Sequence, residues 1–252
     1  MHKFFISKDK IIGKTAFIEG EDVKHIYKVL RLKTGEKVNI NNCEGVEYLG
    51  EIIEINKKQV VVKLIEELFI NNESPVNIYL YQGLPKSSKM DLIVQKSTEL
   101  GVKEITPIIT ERVVVKNEIN EFKKADRWNR IALEACKQSK RSLIPLINTP
   151  IEFEELINQL KNMDLIIVPY ENENNFGIKD VVFKTNKNIK DIAVIIGPEG
   201  GFENFEIERF KNLGAYIVTL GPRILRTETA GFVCISLLMY EFGDIGGFGG
   251  KN

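Results

Sequence analysis

The chain has 252 residues, 43% of them hydrophobic, which suits one large domain or two smaller ones and excludes a wholly disordered chain. Lysine plus arginine and aspartate plus glutamate tie at 35 each, so the chain is no generic polycation, although a local basic patch is compatible with that balance. Cys43, Cys136 and Cys234 lie far apart without metal-ligand spacing, and such a set reads as reduced thiols of a cytoplasmic protein.

No apolar run is long enough to span a bilayer, and the start "MHKFFISKDK" lacks an extended apolar region, so a soluble chain without a signal peptide is expected. The first segments, "KVNINN", "EYLGEIIEI" and "QVVVKLIEEL", alternate apolar and polar residues and predict strands, the last two joined by a hairpin at Asn56-Lys57-Lys58. One helix interrupts them: "EDVKHIYKVLRL" puts Val23, Ile26, Val29 and Leu30 on one apolar face. A small β-rich, barrel-like domain is expected over residues 1–71, ending in the polar linker "NNESP", with a second domain over 72–252.

Beyond the linker the pattern changes. Strand-like runs ("NIYLYQGL", "EITPIIT", "DLIIVPY", "IAVIIG", "AYIVTLG") alternate with helical stretches ("SKMDLIVQKSTELGV", "DRWNRIALEACKQSK", "NFEIERFKNLG", "ETAGFVCISLLMYEFG"), which predicts a mostly parallel α/β sheet covered on both faces. Gly101, Gly214 and Gly243 follow three of these helices, where a left-handed residue is expected. The Gly-rich tail "GDIGGFGGKN" is expected to fray.

Open α/β sheets bind ligands beyond the carboxyl ends of their strands, and two such ends here carry unusual chemistry: "IIGPEGGFENFE" and "TLGPRILRTETA". Either could be an ordinary Gly-Pro turn. Neither is a GxGxxG or Walker loop, and Glu199 would repel a phosphate. A ligand with adenine, ribose and a positive sulfonium avoids that conflict, although spacing alone does not select S-adenosylmethionine.

"GPEGGF" followed by "LGPRILRTETA" resembles the signature of the bacterial uracil-N3 methyltransferases of small-subunit (16S) ribosomal RNA, in the SPOUT superfamily. The segments "KSSKMDLIVQKSTELGVKEITPIITERVVVK", "RWNRIALEACKQSKRSLIP", "MHKFF" and "HIYKVLR" resemble further family motifs, so the likeness covers nearly the whole chain. It implies an N-terminal PUA-like β-barrel for RNA docking and a C-terminal trefoil-knotted α/β methyltransferase domain whose knot loops bind S-adenosylmethionine. It also implies a homodimer, a ribosomal RNA or assembled small-subunit substrate, and no membrane partner. Lys140 departs from the pattern, lying where the family often has a small residue, and the "YENENNFGI" loop is idiosyncratic.

With that resemblance, Arg226 becomes the candidate catalytic or substrate-orienting cation, or else a partner of Glu228 or Glu199 that holds the loop. Glu199 and Glu228 are candidates for proton removal or sulfonium contact, and Glu228 could instead favour a helix N-terminus. Thr227 or Thr229 is expected to cap that helix. Cofactor contacts are expected from Val168, Pro169, Gly197, Pro198, Gly200, Gly201, Leu220, Gly221, Ile224, Leu225 and Thr229, with Tyr170 extending one wall; Leu220, Ile224 and Leu225 read equally as core. RNA contacts are expected from His25, Arg31, Lys86, Lys89, Arg112, Arg141 and Arg223, with Lys96, Lys116, Arg127, Arg130 and Lys137 as further cations. His25 could serve domain packing instead. His2 and His25 are the only histidines, which argues against a zinc site, and Trp128 on an apolar stripe reads as core. Competing readings are another SPOUT enzyme acting on transfer RNA or a ribose 2′-hydroxyl, and a non-catalytic RNA-binding ribosome-assembly protein.

Overall fold

A computed structural model of the chain describes residues 1–69, 72–86, 89–113, 120–185 and 188–247, with backbone alone over 120–124. Lys116 and the end of the Gly-rich tail lie outside the described residues. The chain divides into two compact units: Met1–Glu73 with Cys136–Ile144, and Ser74–Ala135 with Pro145–Asn252.

The first unit is a six-stranded sheet with strands β1 (Lys3–Phe5), β2 (Ile11–Ile12), β3 (Thr15–Glu19), β4 (Lys37–Asn41), β5 (Glu47–Ile55) and β6 (Gln59–Leu68), in the order β1-β4-β5-β6-β3-β2. All neighbours are antiparallel except β1 and β4. The alternation read from the sequence puts Val38, Ile40, Ile52, Val60 and Val62 inward, each fully buried. The β5–β6 hairpin closes on Asn56, whose Oδ1 accepts from the backbone N–H of Lys58 and Gln59, an Asx turn.

The helix of this unit departs from the expected periodicity. A short α1 (Glu21–Lys24) runs into a π-helical turn over His25–Leu30. The wider π turn breaks the 3.6-residue stripe, so Val23 and Ile26 are buried while Val29 is 65% exposed. "NNESP" is also less free than a linker: Glu73 Oε1 accepts from the backbone of Ser142 and Leu143, and its Oε2 pairs with Arg141 at 2.7 Å. Contacts of this kind bring Cys136–Ile144 into the first unit.

The second unit is a seven-stranded parallel sheet: β7 (Asn77–Gly83), β8 (Glu104–Ile109), β9 (Leu146–Ile147), β10 (Ile151–Glu152), β11 (Leu165–Pro169), β12 (Asp191–Ile196) and β13 (Tyr216–Val218). The order is β10-β8-β7-β12-β11-β13, with β9 beside β8. Helices α2 (Lys89–Glu99), α3 (Asn120–Ser139), α4 (Phe153–Leu160), α5 (Ile178–Lys184), α6 (Asn204–Asn212) and α7 (Thr227–Glu241) complete it. Ile192–Ile196 of β12 are all buried, as expected of a strand covered on both faces. The short α4 and α5 were not expected; at this length a helix is held by packing rather than propensity, here through Leu156, Ile157 and Leu160 of α4.

Trp128 is buried, in keeping with a core role. Phe202 packs edge-to-face on Phe210, and Phe210 on Phe153, with centroids 5.4 Å apart in both pairs. Each pair adds about 0.5–1.5 kcal/mol beyond its burial and stiffens the ground beneath the loop after β12. Gly101 and Gly214 are left-handed at φ +90° and +82°, as expected. Gly243 is not; a Cβ there would lie 2.8 Å from Met239 Sδ, so this glycine serves close packing.

Candidate active site

Three loops leave the carboxyl ends of the neighbouring strands β12, β11 and β13, and together they frame a cavity of about 590 Å³. The loop after β12, Gly197–Glu203, approaches the end of β7 so closely that a Cβ on Gly83 would sit 2.4 Å from Pro198 N. Only glycine fits at 83, which sequence reading passed over because the partner is more than a hundred residues away. Gly201 is left-handed at φ +70°, and an added Cβ would meet Glu171 Oε1 at 2.6 Å.

The loop after β11 is tied to its neighbour. Thr219 N–H donates to Phe176 O at 2.8 Å, Tyr170 N–H to Val218 O at 3.0 Å, and Phe176 stacks on Tyr216. The idiosyncratic "YENENNFGI" stretch is thus a built wall, which brings Tyr170, Glu171 and Asn174 to the cavity. The loop after β13, Thr219–Arg226, supplies the opposite wall, with Gly221 at φ +115°.

The structure brings Pro169, Gly197, Pro198, Glu199, Gly200, Gly201, Leu220, Gly221, Ile224, Leu225, Arg223 and Arg226 into one cavity lining. Val168, Glu228 and Thr229 fall outside it. Val168 points into the core cluster of Ile166, Ile195 and Phe210, because alternation along β11 turns it away from the loop end. Leu220, Ile224 and Leu225 are not core: the first and last are half-buried and Ile224 is 88% exposed.

Thr227 is the first residue of α7 and is not its cap; Arg226 holds the N-cap position, with no side-chain capping bond. The buried Thr227 hydroxyl instead donates to Gly197 O at 2.6 Å and accepts from Gln82 Nε2 at 2.8 Å. Arg226 is exposed and forms no ion pair among the described residues, so the pairing with Glu199 or Glu228 is not formed. Lys89 takes that place: its Nζ lies 3.0 Å from Glu199 Oε1 and 3.3 Å from Glu228 Oε2. Glu199 also accepts from Lys86 N–H at 3.1 Å. Burial pushes the Glu199 carboxyl up, but hydrogen bonds from its own backbone, Lys89 and Lys86 outweigh that and hold it below its ordinary value.

The expected RNA-contacting cations separate into two groups. His25, Arg31, Lys86 and Arg223 are exposed. Three others are engaged: Lys89 as above, Arg112 with Glu203 Oε1 and Gly200 O, both at 2.8 Å, and Arg141, 5% exposed, with Glu73. Arg112 thereby props the loop after β12 from its outer side. Lys96 pairs with Glu99, Lys137 with Asp22 and Arg127 with Asp91.

The cavity chemistry fits an adenosyl sulfonium. Backbone N–H and C=O groups of Leu220, Ile224 and Leu225 make no hydrogen bond among the described residues, leaving them free to hold an adenine edge. Ile224 and Leu225 offer apolar surface to its faces, and Glu171 at the cavity has no ion pair among the described residues and can face a cation. No cluster of metal-ligating side chains occurs among the described residues.

A parallel sheet with a nucleoside-sized cavity at its strand ends defines a cofactor-binding α/β enzyme domain, here following a small β domain. The RNA methyltransferase domain family matches residues 72–239 and the RNA methyltransferase PUA domain family matches 18–65. Relatives named ribosomal RNA small subunit methyltransferase E share 36% identity in Buchnera aphidicola, over 96% of this chain and 94% of that protein, and 34% in Bacillus subtilis, over 96% and 97%. The solved ribosomal RNA small subunit methyltransferase E of Neisseria gonorrhoeae, bound to S-adenosyl methionine, superposes with a TM-score of 0.84 at 31% identity, covering 97% of this chain and 99% of that one. The chain belongs to the ribosomal RNA small subunit methyltransferase E family.

Proposed function

We propose that this protein transfers a methyl group from S-adenosylmethionine to N3 of a uridine in small-subunit (16S) ribosomal RNA. The observation that carries the reading is the cavity at the ends of β11, β12 and β13, where backbone groups of Leu220, Ile224 and Leu225 and the cation of Arg226 stand without partners among the described residues. Bound there, S-adenosylmethionine supplies a methyl group on a positive sulfur, activated for in-line attack by a nucleophile. Pro169, Gly197, Pro198, Gly200, Gly201 and Gly221 shape the binding walls.

Uracil N3–H is a weak acid: it gives its proton to solvent, the charge left on the uracil oxygens is stabilised, and N3 takes the methyl as the S–CH3 bond breaks and S-adenosylhomocysteine leaves. Arg226, exposed at the start of α7, is the group we assign to that charge and to substrate orientation. Glu199, held ionised below its ordinary range, is a weak base, and it serves with Glu228 to anchor Lys89 rather than to accept the proton. Lys86 and Arg223, with His25 and Arg31 on the PUA-family unit, form the proposed RNA contacts, each exposed. The domain division at 71/72, a knotted arrangement of the cavity loops and a homodimer belong to the same reading. Exposed Leu237 and Tyr240 on the apolar α7 support a second copy as partner. A cytoplasmic location belongs to the same reading. Separately, no described helix is long and apolar enough to cross a membrane.

The test incubates the protein with methyl-labelled S-adenosylmethionine and unmethylated small ribosomal subunits, then digests the RNA. Label in 3-methyluridine is the expected result. Label in a ribose 2′-O-methyl nucleoside, or only in transfer RNA, overturns the uracil-N3 assignment. Absence of transfer together with absence of cofactor binding favours a non-catalytic RNA-binding role.

A further inference from the structure

We infer that Gln82 is a positioning residue for methyl transfer, acting through Thr227 to lock the cofactor loop to the start of α7; the inference rests on the proposed reaction. Gln82 is the penultimate residue of the central strand β7 and is fully buried. Its amide nitrogen donates to Gly83 O at 3.0 Å and to Thr227 Oγ1 at 2.8 Å. The Thr227 hydroxyl has a single proton, and it goes to Gly197 O at 2.6 Å. The relay therefore runs one way, from Gln82 through Thr227 to the first residue of the loop after β12. Thr227 is flanked by Arg226 and Glu228, so the same bonds fix the proposed orienting cation and the carboxylate that faces Lys89.

Gln82 Oε1 is buried with no hydrogen-bond partner among the described residues, a polar cost set against the two bonds that its Nε2 donates. The junction has no slack, since Gly83 and Pro198 meet too closely to admit a Cβ. Freeing Thr227 at this point loosens both the loop after β12 and the start of α7, whereas a surface contact would loosen one. A displacement of that kind is felt in turnover, because reacting atoms must stay aligned.

The test compares Gln82→Met, Thr227→Val, Thr227→Ser and the Gln82→Met/Thr227→Val double variant in the full chain. S-adenosylmethionine affinity is measured by calorimetry, and kcat and KM with unmethylated small subunits. Gln82→Met and Thr227→Val should each lower kcat about tenfold and weaken cofactor binding several-fold, while Thr227→Ser, which keeps the hydroxyl, stays within about twofold of wild type. The double variant should be no worse than the weaker single, because one relay is broken in each case. Turnover lost in Gln82→Met and Thr227→Val but kept in Thr227→Ser, measured well below each variant's thermal midpoint, separates positioning from folding, and equal losses in Thr227→Ser and Thr227→Val would overturn the inference. Wild-type kcat and affinity in Gln82→Met would overturn the inference, as would a double variant whose loss is the product of the two singles. Failure of the wild type to methylate the subunits sinks the proposed reaction instead, and the relay then stands or falls on the affinity series alone; no binding by any form overturns both.

Discussion

Lys89 Nζ bridges Glu199 Oε1 at 3.0 Å and Glu228 Oε2 at 3.3 Å, so one ammonium joins the loop after β12 to the first turn of α7. Removing it leaves two carboxylates facing each other beside the cavity. Lys89→Met should weaken S-adenosylmethionine binding about tenfold, the scale of a lost charged hydrogen bond. The salt dependence of RNA binding should stay as in wild type. A slope reduced by about one, with cofactor affinity intact, would return Lys89 to the RNA-contacting set.

The Glu199 carboxyl gives a pH signature. Its folded value is held below the ordinary one, against the pull of burial, by bonds from its own backbone, Lys89 and Lys86. The stabilisation from this depressed group is complete above its unfolded value near about 4.3 and is lost as pH falls through the folded value. Wild type should therefore be more stable than Glu199→Gln by a constant margin between about pH 6 and 8, and that margin should shrink on acidification below about pH 4. Thermal melts across the acid range measure it. An unchanging margin down the acid limb would mean the carboxylate is not held.

Arg141 pairs with Glu73 at 2.7 Å, and Glu73 also takes the backbone N–H groups of Ser142 and Leu143. Breaking a buried pair by removing one partner costs about 3–5 kcal/mol, because the remaining charge is left uncompensated. Glu73→Ala and Arg141→Ala should each lose close to the lower end of that range in denaturant unfolding. Neither should change the salt slope of RNA binding. A small stability effect combined with a weaker slope would reinstate Arg141 as a phosphate contact.

Lys140 sits in the left-handed region at φ +60°, just after α3, a conformation that costs an L-residue about 1–2 kcal/mol. Its carbonyl, which accepts from Asn72 Nδ2, does not depend on the side chain. Lys140→Gly should therefore stabilise by about 0.5–1 kcal/mol after the unfolded-state entropy of glycine is subtracted. Equal or lower stability in denaturant melts would refute it.

Local patterns carried much of the fold and lost track wherever a partner was remote. Alternation located β4, β5 and β6, and apolar runs located the parallel strands, because those signals lie within the element itself. The cavity loops were legible as glycines at strand ends, but the way they are held was not. Thr227 reads as a cap until Gln82 and Gly197, 145 and 30 residues away, are seen to occupy its hydroxyl. Lys89 and Arg141 read as RNA contacts for the same reason: Glu199 is 110 residues from one and Glu73 is 68 from the other. Val29 was misplaced by a different cause, a π turn that no 3.6-residue template contains.

Ile224 offers the most direct probe of the cavity. At 88% exposure it contributes little to the protein's own core, yet it lines the wall formed by the loop after β13. Burying such a side chain against a ligand is worth about 1.5–3 kcal/mol, whereas truncating it in the free protein removes almost no packing. Ile224→Ala should leave the unfolding free energy within about 0.5 kcal/mol of wild type and weaken S-adenosylmethionine binding about tenfold. Calorimetry at matched protein concentration measures the second, and a denaturant melt the first. If affinity holds while stability drops, Ile224 packs on the protein instead, and the adenine must lie against the wall formed by Tyr170 and Asn174.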